Sequence, residues 1–256
     1  MKQASVTLGY LHLPALPAEE VAPDMRGRHQ HAPDSFQGEV RPCRRAIFVS
    51  DRSTTGVSVG RKQVWDQADV LGRAMRLFRH RGYLGASVRD IEEATGLHPG
   101  SLYRVFQSKE GLFCAALDAY NDQVVQGRVR AHLLEQPDPV AGIRSFFTST
   151  FETSLEPDPG CLLTNTAVES FAVPQAAAGV HRGLETIESG FADALVRAGA
   201  LGLLSADLDV EVAAARLLAL YQGLLVLVRA GTPVTKLHTI TDGAMASIGF
   251  DEEGQR

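Results

Sequence analysis

The side chains best suited to recognition lie within one short stretch. His98, Gly100, Ser101 and Arg104 follow a glycine turn and flank Pro99, and they are short or hydrogen-bonding residues. Such residues at the start of a helix fit a DNA major groove and can meet base edges. Elsewhere one thiol stands out, Cys161, just ahead of Leu162-Leu163-Thr164-Asn165. At a helix start a thiol gains reactivity from the helix dipole, which suits a redox sensor; a buried structural cysteine is the other reading. No histidine or carboxylate stands at a motif spacing from Cys161, and no glycine-rich phosphate loop or metal-ligand cluster is present. The sequence therefore implies no cofactor and no metal, and a thiol-dependent enzyme using Cys161 is kept only as the alternative.

Presenting that stretch requires particular elements around it. Val64, Ala68, Leu71, Met75 and Phe78 step by four and three, which lines one face of a helix. Gly82 ends it as a left-handed cap, and Tyr83-Leu84-Gly85 makes a connector. Ser87 caps a second helix, with Asp90 completing a capping box and Val88, Ile91 and Ala94 on its inner side. Thr95-Gly96 stops it, and His98-Pro99 opens a short third helix running to about Phe106. Leu102 and Phe106 anchor that helix. Ser108 caps a fourth, whose apolar side is Leu112, Phe113, Ala116, Leu117 and Tyr120. Helix, glycine turn and short helix over 87–106 form the arrangement in which one helix crosses the DNA backbone and the next enters the groove. Downstream, proline and glycine breaks separate helical segments at 140–155, 162–171, 175–199, 208–229 and 235–248. The fold class is all-α.

Composition sets limits on partners. The 256 residues are 45% apolar and carry a net charge of −5, which supplies a core and argues against coating nucleic acid by bulk charge. That charge is unevenly spread: residues 1–60 hold +1, 61–109 hold +4 and 110–256 hold −10. Any nucleic-acid site must be local, in 61–109. Three cysteines without a Cys-x-x-Cys pair speak against a disulfide scaffold and for a cytoplasmic location, with Cys114 assigned to packing. The uncharged apolar run Leu217 to Val228 falls short of the ~20 residues a membrane-spanning helix needs, so no membrane is expected. Residues 1–60 hold five of the twelve prolines and no sustained apolar period. They read as a flexible tail, or as a start placed upstream of a true one at Met25, Val57 or Val59.

Ser87-Val88-Arg89-Asp90-Ile91, Ala94-Thr95-Gly96-Leu97, Gly100-Ser101-Leu102-Tyr103-Arg104-Val105-Phe106 and Ser108-Lys109-Glu110-Gly111-Leu112-Phe113 resemble, in that order, the DNA-binding domain of TetR-family transcriptional regulators. The resemblance covers about Val64 to Tyr120. It implies that Ser87, Tyr103 and Lys109 bond phosphates. His98, Pro99, Gly100, Ser101 and Arg104 would face base edges or the adjoining backbone. Arg104 stands where many relatives have histidine, so guanine and phosphate both remain open as its partner. The implied division is a helix-turn-helix domain over 61–108 and a helical effector-binding and dimerisation domain over 109–256.

In that second part the stretch Val212 to Val228 is interrupted only by Arg216, Gln222 and Gly223, and a helix apolar nearly all round must be covered on several sides. A central core helix satisfies this; the resemblance favours 208–229 and 235–248 as a four-helix interface of a homodimer, which implies a pseudo-palindromic double-stranded DNA operator. Phe146, Phe147, Phe151, Phe171 and Tyr221 are candidates to line an effector cavity, with Asn165, Glu169, His181 or Gln222 as polar anchors. The stretch Gly160 to Ala167 also resembles a segment in a subset of the family that includes electrophile- and oxidant-sensing repressors. The expected function is a repressor released from DNA by a small apolar or reactive effector.

Overall fold

A computed structural model describes residues 66–152 and 160–250 of the chain, all within one unit, Val40–Arg256. The tail expected over 1–60 and the expected helix position Val64 lie outside the described residues. Every regular element among the described residues is helical. Helix α1, Gln67–Gly85, starts where the Asp66 carboxylate accepts from the Ala68 N–H at 2.9 Å. Its buried stripe is Val70, Ala74, Met75 and Phe78, while Ala68, expected on that stripe, is exposed. Gly82 interrupts α1 with φ 71° and ψ 179°, so the expected break is present, with an extended ψ in place of the left-handed cap.

Helices α2, Val88–Thr95, and α3, Pro99–Phe106, follow the capping logic of their sequences. The Ser87 hydroxyl accepts from the Asp90 N–H at 3.1 Å, and the Asp90 carboxylate accepts from the Ser87 N–H at 2.8 Å. Gly96 closes α2 in the left-handed region at φ 69°, ψ 11°, a conformation that costs a residue without Cβ little. Thr95 braces the same turn: its hydroxyl donates to the Ile91 carbonyl at 2.6 Å and accepts from the Leu97 N–H at 3.1 Å. Helix α4, Lys109–Tyr120, begins at the Ser108 cap and buries Leu112, Phe113, Ala116, Leu117 and Tyr120 as its pattern requires.

Beyond α4 the chain remains helical to Leu134, through a π-turn at Asn121–Val125, a short α5 at Gln126–Arg128 and a second π-segment at Val129–Leu134. Helices α6, Pro139–Thr148, α7, Leu162–Val168, α8, Ala177–Ala200, α9, Val210–Arg229, and α10, Val234–Ala246, complete the molecule. α6 and α7 end earlier than the expected 155 and 171; a 3₁₀ turn, Ser170–Ala172, follows α7. One continuous core runs from Val70 to Ile248. At its centre the rings of Phe146 and Tyr221 lie 4.7 Å apart and those of Phe146 and Phe191 5.2 Å apart, binding α6, α8 and α9 together.

Helix α9 corrects one expectation. With 20 residues and a mean hydropathy of 1.6 it is long and apolar enough to cross a membrane, because one internal arginine does not exhaust the tolerance of such a helix. It buries Ala213, Leu217, Tyr221, Leu224 and Leu225 in the core and leaves Val212, Ala215, Ala219, Gly223 and Val226 exposed. Cys114 is buried on α4, and its sulfur is disulfide-bonded, which the cysteine spacing did not suggest.

Candidate functional site

Helix α3 is held from behind by Leu102 and Phe106, both buried, and turns Gly100, Tyr103 and Arg104 outward, with Pro99 and Ser101 half-exposed. Tyr103 is 54% exposed, a large ring turned outward. His98 caps α3 from an exposed position, its Nδ1 2.7 Å from Glu92 Oε1. Ser87 is exposed at the foot of α2, where its hydroxyl also donates to Asp90 at 2.7 Å. The two bonds from Ser87 hold the Asp90 carboxyl below its ordinary value, helped by Arg81, whose guanidinium lies 2.5 Å away. Seven of the eight residues assigned to DNA thus gather on the α2–α3 surface.

The eighth, Lys109, sits behind that surface, half-buried at the start of α4. Its ammonium lies 4.3 Å from the centre of the Tyr83 ring. Burial pulls its pKa down, while Glu169 and Asp90 act in the opposite sense. This is the edge of a clasp that fastens α1 to α7 and α9. The Tyr83 N–H, which an unbroken helix would direct to the Arg79 carbonyl, donates to Glu169 Oε2 at 2.6 Å. The Arg79 carbonyl accepts from Asn165 Nδ2 and from the Arg229 guanidinium, each at 3.2 Å. Gly82 makes this possible, since a Cβ there would collide with the Glu169 carboxylate and its positive φ would be strained in any other residue.

A cavity of about 230 Å³ lies beside the clasp. Tyr120, Arg128, Phe146, Cys161 and Tyr221 form much of its wall, and Arg79 of α1 closes one side, its Nε donating to the Gly160 carbonyl at 2.9 Å. Cys161 is the N-cap residue of α7 and is buried, and its sulfur accepts from the Tyr120 hydroxyl at 3.5 Å. Burial, together with Cys161 beside it, pushes the Tyr120 phenol well up. Of the nine residues named as pocket candidates, Phe146 and Tyr221 line this cavity. Phe147 packs behind it against Phe191 and Tyr221, and Phe151 stacks edge-on against His238 at 5.0 Å. Asn165 and Glu169 serve the clasp. Phe171 and His181 are exposed, and Gln222 accepts from the Thr164 hydroxyl at 2.6 Å.

Arg79, Tyr120 and Arg128 are among the wall residues that had no sequence signal as pocket residues. Arg79 falls off the apolar stripe of α1 and reads as solvated, Tyr120 lies on the apolar stripe of α4 and reads as core, and Arg128 lies on the short α5 between the two π-segments, where the sequence sets no helix bounds.

Residues 70–116 match the family model described as bacterial regulatory proteins, tetR family, and residues 139–242 match that of the tetracyclin repressor-like C-terminal domain. The chain is 34% identical over 110 residues to the HTH-type transcriptional repressor ComR of Escherichia coli strain K12, covering 42% of this chain. That match spans about half of ComR, 52%. It is 30% identical over 162 residues to YezE, an uncharacterized HTH-type transcriptional regulator of Bacillus subtilis strain 168, covering 61% of this chain and 81% of YezE. Among solved structures, a cysteine-substituted form of the TetR family regulator CifR, complexed with 26-base-pair double-strand operator DNA, superposes with a TM-score of 0.64 at 32% identity. The superposition covers 73% of this chain and 99% of CifR. These relatives are transcriptional regulators, not enzymes, and the enzymatic alternative for Cys161 is withdrawn. A two-part family match joined to an outward-facing α3 makes the conclusion direct: the chain belongs to the TetR family of DNA-binding transcriptional regulators.

Proposed function

We propose that the protein is a cytoplasmic, homodimeric repressor that binds a pseudo-palindromic operator through α2 and α3 and leaves it when a small molecule occupies the cavity. The observation that carries the reading is Arg79. It belongs to α1, which packs on α2 in the DNA-reading part, yet its side chain stands in the cavity wall. A ligand that displaces Arg79 acts on the DNA-reading part through covalent continuity. Release requires only that the occupied state favour a separation of the two α3 helices that no longer matches successive major grooves. ComR is named a repressor, and CifR is bound to operator DNA in its structure, which supports the same partner here.

Within this reading Ser87, Tyr103 and Lys109 bond phosphates, while His98, Pro99, Gly100, Ser101 and Arg104 meet the groove. Residues 61–108 form the reading domain and 109–256 the effector and dimer domain. The uncovered stripe on α9 supports dimerisation through α9 and α10. Cys161 would act as a sensor only toward reagents that enter the cavity, given its burial. Selection of DNA from a random pool by the full chain tests the proposal. The expected product has two inverted half-sites about one helical turn apart. Tyr103→Ala should lower affinity for it about tenfold or more through lost phosphate contact. Recovery of no symmetric site, or binding indifferent to Tyr103→Ala, would overturn it.

A further inference from the structure

Arg73, Arg81, Arg144 and Arg182 each meet an aspartate. Arg128 does not. It is half-buried on α5 and lines the cavity, and its Nη2 donates to two neutral acceptors, the Phe146 carbonyl at 2.8 Å and the Ser149 hydroxyl at 3.0 Å. Its guanidinium carbon lies 5.1 Å from the centre of the Phe146 ring. Among the described residues no carboxylate pairs with it, and its Nε and Nη1 hydrogens have no protein acceptor. A guanidinium cannot shed its charge by losing a proton, so a partly desolvated one is best satisfied by an anion. Its field is felt nearby: burial and then Arg128 lower the pKa of His132.

The rest of the wall says what the anion is attached to. Arg79, Tyr120, Ser149, Thr150 and Cys161 make part of it polar, and Val124, Val125, Ile187 and Leu225 supply an apolar side. At about the volume one water takes in the liquid, a cavity of about 230 Å³ holds roughly eight non-hydrogen atoms. We propose that the cavity binds a small carboxylate with an apolar body, such as a medium-chain or aromatic acid, its two oxygens taken by the Arg128 guanidinium. The planar fork of guanidinium matches the two carboxylate oxygens, and the chain or ring lies against the four aliphatic side chains. A neutral ligand of the same size would leave the charge unanswered.

This inference rests on the cavity being the effector site, and direct binding without DNA separates the two. Octanoate, benzoate, their amides and inorganic phosphate are titrated calorimetrically into the purified full-length protein. Each acid should bind about tenfold or more tighter than its amide, and phosphate more weakly than either acid. Arg128→Gln, which keeps an N–H for the Phe146 carbonyl but drops the charge, should erase the acid–amide difference. Arg128→Lys should retain a preference for the acids, with circular dichroism recording that both variants are folded. Amides that bind as tightly as acids, phosphate that binds as tightly as benzoate, an acid preference that survives Arg128→Gln, or no acid binding at millimolar concentration would each overturn the proposal. Acids that bind through Arg128 yet leave the operator bound would instead remove effector release and leave this inference standing.

Discussion

Ser87 holds two positions at once: it caps α2 and it stands on the surface assigned to phosphate. The two roles separate by pH. Asp90 is held below its ordinary carboxylate value by its bonds from Ser87, so the stability it lends is present above the unfolded value of ~3.9 and is lost as pH falls through the folded value. Ser87→Ala removes the hydroxyl and should lower stability at neutral pH by about 1 kcal/mol, the usual cost of a lost cap. The Asp90 resonance should titrate at higher pH, and the stability gap between variant and parent should narrow in acid. A titration unchanged by the substitution would show that the box does not act as described. Ser87, Gly96, Pro99 and Ser108 were legible in the sequence because each acts on backbone within three residues of itself. Glu169 and Asn165 were not, because their partners, Tyr83 and Arg79, lie 86 positions away and no spacing pattern connects them. Both were assigned to a ligand and both turn out to hold helices together.

At the level of elements, periodicity gave α2, α3, α4, α8, α9 and α10 close to their observed bounds. It missed the π-turns between Asn121 and Leu134, because a π-turn shifts the helical face by a residue and erases the register on which periodicity depends. On α9 the sequence required cover on several sides without saying which side the chain itself supplies. The structure divides it: the core takes Leu217, Tyr221 and Leu224, and Val212, Ala215, Ala219, Gly223 and Val226 remain as a stripe of small and apolar residues facing out. Small side chains let a second helix approach closely. If the proposed dimer forms through this stripe, Ala219→Arg at its middle should shift the protein to monomer in sedimentation equilibrium while its far-ultraviolet circular dichroism stays the same. A dimer that persists would move the interface elsewhere.

Across the whole molecule, the net charge of −5 conceals a +4 segment at 61–109 ahead of a −10 segment at 110–256, so weak attachment to arbitrary DNA is opposed by most of the chain. The family was legible from four short motifs. The cavity was not, since it is assembled from α1, α4, α5, α6, α7, α8 and α9 at once. One of those contributions bears on how the protein can be re-engineered or can diverge. Because Arg79 belongs to the helix that precedes the reading head and also walls the cavity, the molecule is not a pair of interchangeable modules. Grafting residues 61–108 from a relative such as YezE should alter acid binding, measured without DNA, as well as operator choice. Unchanged ligand affinity in that chimera would show Arg79 to be a bystander. If affinity does change, a new promoter specificity cannot be acquired by exchanging the front of the gene without retuning what the protein senses.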